Sequence, residues 1–351
     1  MIEFSIQRYA FLALAAAALF GASTPFAKVL LGGISPVVLA GLLYLGSGIG
    51  LALLRLAQGQ SRHPREALLA ARDWIWLAGA ILAGGIAAPV LLLWGLAHAG
   101  AAETALLLNF ESVITALVAA ALFREAVGGR VWFAALVMLA GGSVLGYDPA
   151  SPLALSPYSL AIVGACLGWA IDNNLTRKIA GADPVAIAMT KGLTAGCFNL
   201  ALGLALGKTL PAPGAAAGAL MLGFAGYGVS LVLFIYAMRH LGAARTAAHF
   251  STAPFIGAAL AVPLLGEPVT ADLVTAAILM AIATWLVLTE QHAHEHLHER
   301  VTHNHAHLHD EHHQHAHRGD EGPEPHVHEH VHEPMRHAHP HLPDLHHRHK
   351  H

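Results

Sequence analysis

His98-Ala-Gly-Ala-Ala-Glu-Thr-Ala105 and His240-Leu-Gly-Ala-Ala-Arg-Thr-Ala247 agree at six of eight positions, 142 residues apart. The same offset aligns Glu125-Ala-Val127 with Glu267-Pro-Val269 without a gap. At an offset of 148, Ser35-Pro36 aligns with Asp183-Pro184. Alanine matches are cheap in an alanine-rich chain. A histidine, a glycine, a threonine and a glutamate recurring at one spacing are not. The chain therefore reads as two copies of one unit.

The surrounding sequence says what the unit is. Of the 351 residues 55% are hydrophobic and only 12% charged, against roughly 25% charged in soluble domains. Apolar runs long enough to cross about 30 Å of hydrocarbon as helices recur along the chain. We read ten of them: 9–30, 36–56, 74–97, 102–123, 131–147, 157–176, 184–207, 215–238, 244–265 and 270–289. The first lacks a strongly basic leader and is followed by equivalent runs, so it reads as a membrane helix rather than a cleaved signal. Small residues, as from Gly79 to Gly85 and from Gly218 to Gly228, suit close helix packing in lipid. Pro25, Pro89, Pro254 and Pro263 predict kinks or breaks. Cys166 and Cys197 lie in apolar runs without metal-type spacing and are expected to be small buried thiols.

Charge tests the segment count. With the N-terminus in the cytoplasm, eleven basic residues fall inside: Arg8, Arg55, Arg62, Arg65, Arg72, Arg124, Arg130, Arg177, Lys178, Arg239 and Arg245. Two, Lys28 and Lys208, fall outside. Cytoplasmic loops carry such an excess, and a missed or invented helix would scramble it. The expectation is an integral protein of a bacterial-type inner membrane with both termini cytoplasmic. Five segments per copy is an odd number, so the second copy enters the membrane in the opposite sense. This is the inverted repeat common in secondary transporters. The expected fold is all-α: a short segment 1–8, a first repeat 9–147, a linker 148–156, a second repeat 157–289, and a disordered tail 290–351.

Several stretches carry a family likeness. The first repeat reads Glu111-Ser112, then Arg124-Glu125; the second reads Ala253-Pro254, then Gly266-Glu267. Each keeps half of a Glu-Pro pair. Leu139-Ala-Gly-Gly142, Phe20-Gly-Ala-Ser-Thr-Pro25 and Trp169-Ala-Ile-Asp-Asn-Asn174 complete the pattern. On these residues the chain resembles the EamA-type branch of the drug/metabolite transporter superfamily over about residues 9–289. The likeness implies ten helices and transport of small solutes, a class that spans amino acids, sugars, nucleotide precursors and drugs. The family's basic residue of the second helix matches Lys191 in the second repeat, but Leu43 stands there in the first.

Ionisable groups inside lipid are costly and are functional candidates by default. Glu111 lies about ten residues, or about 15 Å, into its helix. Thr104, Glu111 and Thr115 share a face on a continuous helix, with Asn109 nearby, and Glu111 is the candidate proton carrier. Asp172, Asn173 and Asn174 end the sixth segment at a depth similar to Lys191 in the seventh, so an Asp172–Lys191 pair is expected. It serves either as structure or as an inner gate. His249 is a cavity or packing residue. His98, His240, Glu125 and Glu267 sit at helix ends, where a capping or structural role is expected. No P-loop, nucleophile elbow or zinc-protease pattern occurs, so the chain reads as no enzyme and a gradient must drive transport. The partners expected are a small-molecule solute and the lipid bilayer, with a homodimer as an option and no nucleic acid.

From Gln291 the composition changes. Twenty-three of the 27 histidines fall in the last 61 residues. Candidate metal ligands are His292, His294, His296, His298, His303, His305, His307, His309, His312, His313, His315, His317, His326, His328, His330 and His332. Imidazole suits Zn, Ni, Co and Cu ions and titrates near neutrality. Few large apolar residues intervene, so disorder is expected. Three readings stay open. One is a metabolite or drug exporter with a metal- or pH-responsive tail and no required cofactor. Another is a transporter of divalent Ni, Co or Zn whose tail gathers ions. The third is a membrane-anchored metal buffer or sensor that transports nothing.

Overall fold

The computed structural model describes residues 2–57, 69–123, 128–151, 155–179, 182–241 and 243–289, and in the tail 292–297, 301–307, 326–332 and 336–341. Up to residue 289 the structure is helical. The first half holds α1 (Ile2–Leu31), α2 (Pro36–Ala57), α3 (Trp74–Ala80), α4 (Ala88–His98), α5 (Ala101–Leu107), α6 (Phe110–Phe123) and α7 (Gly129–Gly146). The second holds α8 (Pro157–Thr176), α9 (Pro184–Ala205), α10 (Pro213–Gly223), α11 (Ser230–Leu241), α12 (Ala243–Phe250), α13 (Ala253–Leu265) and α14 (Ala271–Leu288). A π-helical segment Ile81–Ala87 joins α3 to α4, and another, Phe224–Val229, joins α10 to α11.

Among the described residues, eight helical stretches are long and apolar enough to cross a membrane. The two remaining sequence segments explain the difference from ten. The sixth forms the 20-residue helix α8 but carries Asp172, Asn173 and Asn174 in its last turns. The ninth is broken at Ser251–Thr252 into α12 and the short apolar α13. Two of the four prolines mark breaks: Pro254 sits in the first turn of α13, and Pro89 follows the π segment. Pro25 and Pro263 lie inside helices that continue past them. In lipid, neighbouring groups can satisfy the carbonyl that a proline leaves free.

The helices pair across the two halves. α2 runs along α9, and α7 along α14. α1 packs against α11 and α13, while α8 packs against α4 and α6. The α2–α9 crossing brings backbones together: a Cβ added at Gly48 would lie 2.6 Å from the Leu193 nitrogen, and one at Gly192 would lie 2.8 Å from the Gly48 nitrogen. Close approach of this kind is how small residues bind helices in lipid. Leu39, Leu43, Leu96, Leu106, Ile162 and Met280 are buried between helices. Trp132, Leu136 and Leu139 of α7, and Ile278 and Trp285 of α14, are exposed. That outer surface is apolar, as a lipid-facing surface must be.

One expectation needs correction here. Cys166 is buried, but Cys197 is exposed. α9 is apolar around most of its circumference, so its sequence does not mark which face is inward. The tail contains four short strand segments: β1 (His292–Leu297), β2 (Val301–His307), β3 (His326–His332) and β4 (Arg336–His341). β1 pairs antiparallel with β4, and β2 with β3. Histidine at every second position is a strand period.

Asp183 shows how the helix ends are held. It caps α9, its carboxylate accepting from the backbone N–H of Val185 at 2.9 Å and of Ala186 at 3.2 Å. Arg55 at the end of α2 reaches the same carboxylate at 2.9 Å. Asp183→Ala should destabilise the protein by about 1 kcal/mol, seen as a lower melting temperature in detergent. An unchanged melting temperature would show that water replaces the cap.

Candidate functional site

The site forms where helices are interrupted. The π segments occupy equivalent places, Gly84 in one and Gly226 in the other being 142 residues apart. The second pair of breaks, at Leu108–Asn109 and Ser251–Thr252, keeps the same spacing between Asn109 and Ser251. A π turn redirects carbonyls that an α-helix would consume. Here the Gly84 carbonyl accepts from the Tyr44 hydroxyl at 2.7 Å and from Trp169 Nε1 at 3.0 Å. The Gly85 carbonyl accepts from Asn199 Nδ2 at 3.1 Å.

Against this segment lies an ion pair. Lys191 Nζ donates to both carboxylate oxygens of Asp172 at 2.6 Å, and Thr176 donates its hydroxyl to Oδ1 at 2.9 Å. The side chains are 6% and 18% exposed for Asp172 and Lys191. Gly84 leaves the space for the carboxylate: a Cβ there would sit 2.0 Å from Asp172 Oδ2. A charge at this depth is tolerable only when paired, and the two-point contact with an added hydroxyl meets that need.

The next residue on α8 makes the second link. Asn173 Nδ2 donates to Glu111 Oε1 at 2.8 Å. Glu111 stands in the first turn of α6, just past the break, where the helix dipole favours a carboxylate. Asn174 donates to the carbonyls of Ala170, at 2.9 Å, and of Thr115, at 3.2 Å. One turn of α8 thus ties α6 to α9, and Glu111, Asp172, Asn173, Asn174, Thr115 and Lys191 gather around it.

Thr104 does not join them. The break at Leu108–Asn109 ends the continuous face expected for Thr104, Glu111 and Thr115. Thr104 is fully buried and its hydroxyl donates to the Gly100 carbonyl at 2.7 Å. Asn109 stabilises the break itself, donating to the Leu106 carbonyl at 2.8 Å and accepting from Thr284 at 3.3 Å. His249 is half-buried at the corresponding break, where its carbonyl accepts from Thr252 at 2.7 Å. Phe250 beside it packs against Phe20 and Phe234.

Sequence reasoning missed Tyr44, Trp169 and Asn199 as site residues. The rule that found Asp172 also applies to Asn199, a lone asparagine inside an apolar run. It is fully buried, and its Oδ1 has no hydrogen-bond partner. Tyr44 faces Tyr227 with ring centroids 5.7 Å apart, and Tyr227 faces Phe20 at the same distance. An aromatic wall therefore continues from the polar cluster into the second half.

The candidate metal ligands are placed unequally. His298, His309, His312, His313, His315 and His317 lie outside the described residues, and the others lie on the tail strands. Glu125 also lies outside them.

The comparisons agree with this architecture. The model of the EamA-like transporter family matches residues 7–147 and again residues 156–289. A relative described as an uncharacterized transporter, from Methanothermobacter thermautotrophicus, is 25% identical over 263 residues, covering 71% of this chain and 77% of the relative. A solved crystal structure superposes with a TM-score of 0.58 at 19% identity, covering 80% of this chain and 95% of that one; it shares the fold. The two family matches together span most of the sequence, and the chain belongs to the EamA-like transporter family, a membrane transport protein and not an enzyme.

Proposed function

We propose that the protein is a secondary exporter of small metabolites or drugs, working by alternating exposure of a central polar site between two inverted five-helix halves, residues 9–147 and 157–289. The observation that carries this reading is the cluster on one turn of α8. Glu111, bonded to Asn173, lies beside the Lys191–Asp172 pair, at breaks in otherwise apolar helices. Interrupted helices at matching places in two repeats are where transporters of this plan bind solute and coupling ion. The exchange of helix partners between halves, α1 with α11 and α8 with α4, supports the inverted arrangement. The charge alternation supports a bacterial-type inner-membrane protein with both termini in the cytoplasm.

In this reading Glu111 carries the coupling proton. Metabolite profiles of deletion and overexpression cells identify the cargo, and proteoliposomes then measure its flux under a proton gradient. Glu111→Gln should bring gradient-driven flux to the level of protein-free liposomes. Full coupled flux in that variant would remove Glu111 from the proton path.

The tail supports a second reading. Its 23 histidines can gather divalent Zn, Ni, Co or Cu ions in many weak sites, either to regulate the carrier or to feed it. Truncation after Glu290 separates the two. Altered cellular metal content favours a metal cargo. Unchanged metal content after both truncation and deletion excludes one.

A further inference from the structure

A second cluster lies at the opposite ends of these helices, away from Glu111 and Lys191. The hairpin between α4 and α5, residues 98–101, is held from two sides. Lys28, in the last turn of α1, donates to the carbonyls of Leu96 at 2.6 Å, Ala97 at 3.3 Å and Ala99 at 2.8 Å. Glu267, between α13 and α14, accepts from the backbone N–H of Ala101 at 2.6 Å and of Ala102 at 2.8 Å, one bond to each carboxylate oxygen. A third contact joins the same place, Ser159 at the start of α8 donating to Glu103 at 2.7 Å.

The first N–H groups of a helix have no partner within it, and the last carbonyls are equally orphaned. Capping residues usually come from a helix's own flank. Glu267 instead comes from 166 residues away, in the other half of the chain. α13, which leads to it, packs along α5, with Gly257 close against Gly21 of α1 and Ala105 of α5. The carboxylate therefore fastens the second half onto the first at one end of the bundle. If the halves part at that end, these two charge-assisted bonds, strong as a class, must break together.

We infer that Glu267 is the latch that shuts the solute path at the end of the bundle carrying Lys28, and that Lys28 positions the hairpin which the latch engages. This rests on the reading of transport by alternating exposure. In that cycle the latch forms when this end closes and releases when it opens. Gln at 267 retains one strong acceptor oxygen and one of the two bonds. Ala retains neither.

Thr104 lies directly beneath the latch and is fully buried, which makes it the reporter. In a Cys166→Ala, Cys197→Ser background, Thr104→Cys is labelled in sealed vesicles with an impermeant maleimide applied from the Lys28 side. Glu267→Ala should raise the labelling rate at least tenfold, and Glu267→Gln should fall between it and the parent. Glu125→Gln, at the counterpart position in the first half, should not raise it. A parental rate in Glu267→Ala, with only a lowered melting temperature, would make Glu267 a helix cap and nothing more. Equal increases in Glu267→Ala and Glu125→Gln would also overturn the latch. The underlying reading is tested apart from it by Asn173→Cys in the same background with Glu267 intact. Labelling of that site from both sides supports alternating exposure whatever Glu267 does, and labelling from one side alone refutes it.

Discussion

Lys191→Met should cost about 3–5 kcal/mol, the range for removing one partner of a buried ion pair, and most of the protein should fail to accumulate in the membrane. Among the described residues the Asp172 carboxylate would be left with the Thr176 hydroxyl as its hydrogen-bond partner, in a place where it is 6% exposed. Asp172→Asn should cost a similar amount by leaving the ammonium without its counter-charge. The double variant Asp172→Asn/Lys191→Met removes both charges, and it should recover most of the lost stability, because replacing both members of a buried pair is often neutral. Melting temperatures of the three variants in detergent decide the matter. A double variant that loses the sum of the two single losses would mean that the two groups are not coupled. Flux then separates structure from mechanism. A double variant that folds and transports normally makes the pair a strut; one that folds and does not transport makes it part of the site.

Gly223→Ala should be nearly as damaging, for a different reason. A Cβ at Gly223 would lie 2.0 Å from the Leu43 carbonyl oxygen, and one at Gly46 would lie 2.1 Å from that of Leu220. The two contacts are reciprocal: α2 and α10 touch backbone to backbone at this crossing. No side-chain rotation relieves a clash with backbone, so the helices must separate. Overpacking of this kind costs about 1–3 kcal/mol and occasionally more. The crossing also joins the two halves, so the separation should distort the neighbouring π segment Phe224–Val229. Gly214→Ala is the control. It lies in the first turn of α10 with nothing within 4 Å of an added Cβ, and it should be neutral. Equal melting temperatures for Gly223→Ala and Gly214→Ala would show that the crossing is looser than its geometry indicates.

The fold was largely legible before any coordinates. Apolar runs and the segregation of arginine and lysine follow from the cost of polar groups in hydrocarbon, which leaves its mark on every residue type. The doubling was legible because His98, Gly100, Thr104 and Glu125 recur 142 residues later in a chain otherwise built from alanine and leucine. The Asp172–Lys191 proximity could be reasoned from depth alone, since two residues near the same end of adjacent segments lie at one level. The helix breaks were harder. Pro254 signals one of them, but Asn109 marks its counterpart with no proline, and only the family likeness between Glu111-Ser112 and Ala253-Pro254 hinted at it. The misplacement of Thr104 follows from this: a one-face argument assumes a continuous helix, and two residues of turn rotate everything beyond them.

What the sequence determined by itself was the medium, the doubling and the identity of the costly groups, because each is a property of composition, spacing or solvation. What the tertiary structure decided was which of those groups meet. It set the Gly84 carbonyl against Tyr44 and Trp169, divided Asn173 and Asp172 between Glu111 and Lys191, and brought Glu267 to the first turn of α5. The reason is physical. Burying apolar area gives little drive to join helices that already sit in lipid, so their arrangement is set by backbone fit at glycines such as Gly48 and Gly192 and by hydrogen bonds between residues far apart in sequence. Those contacts have no local signature, and they appear only when the helices are packed.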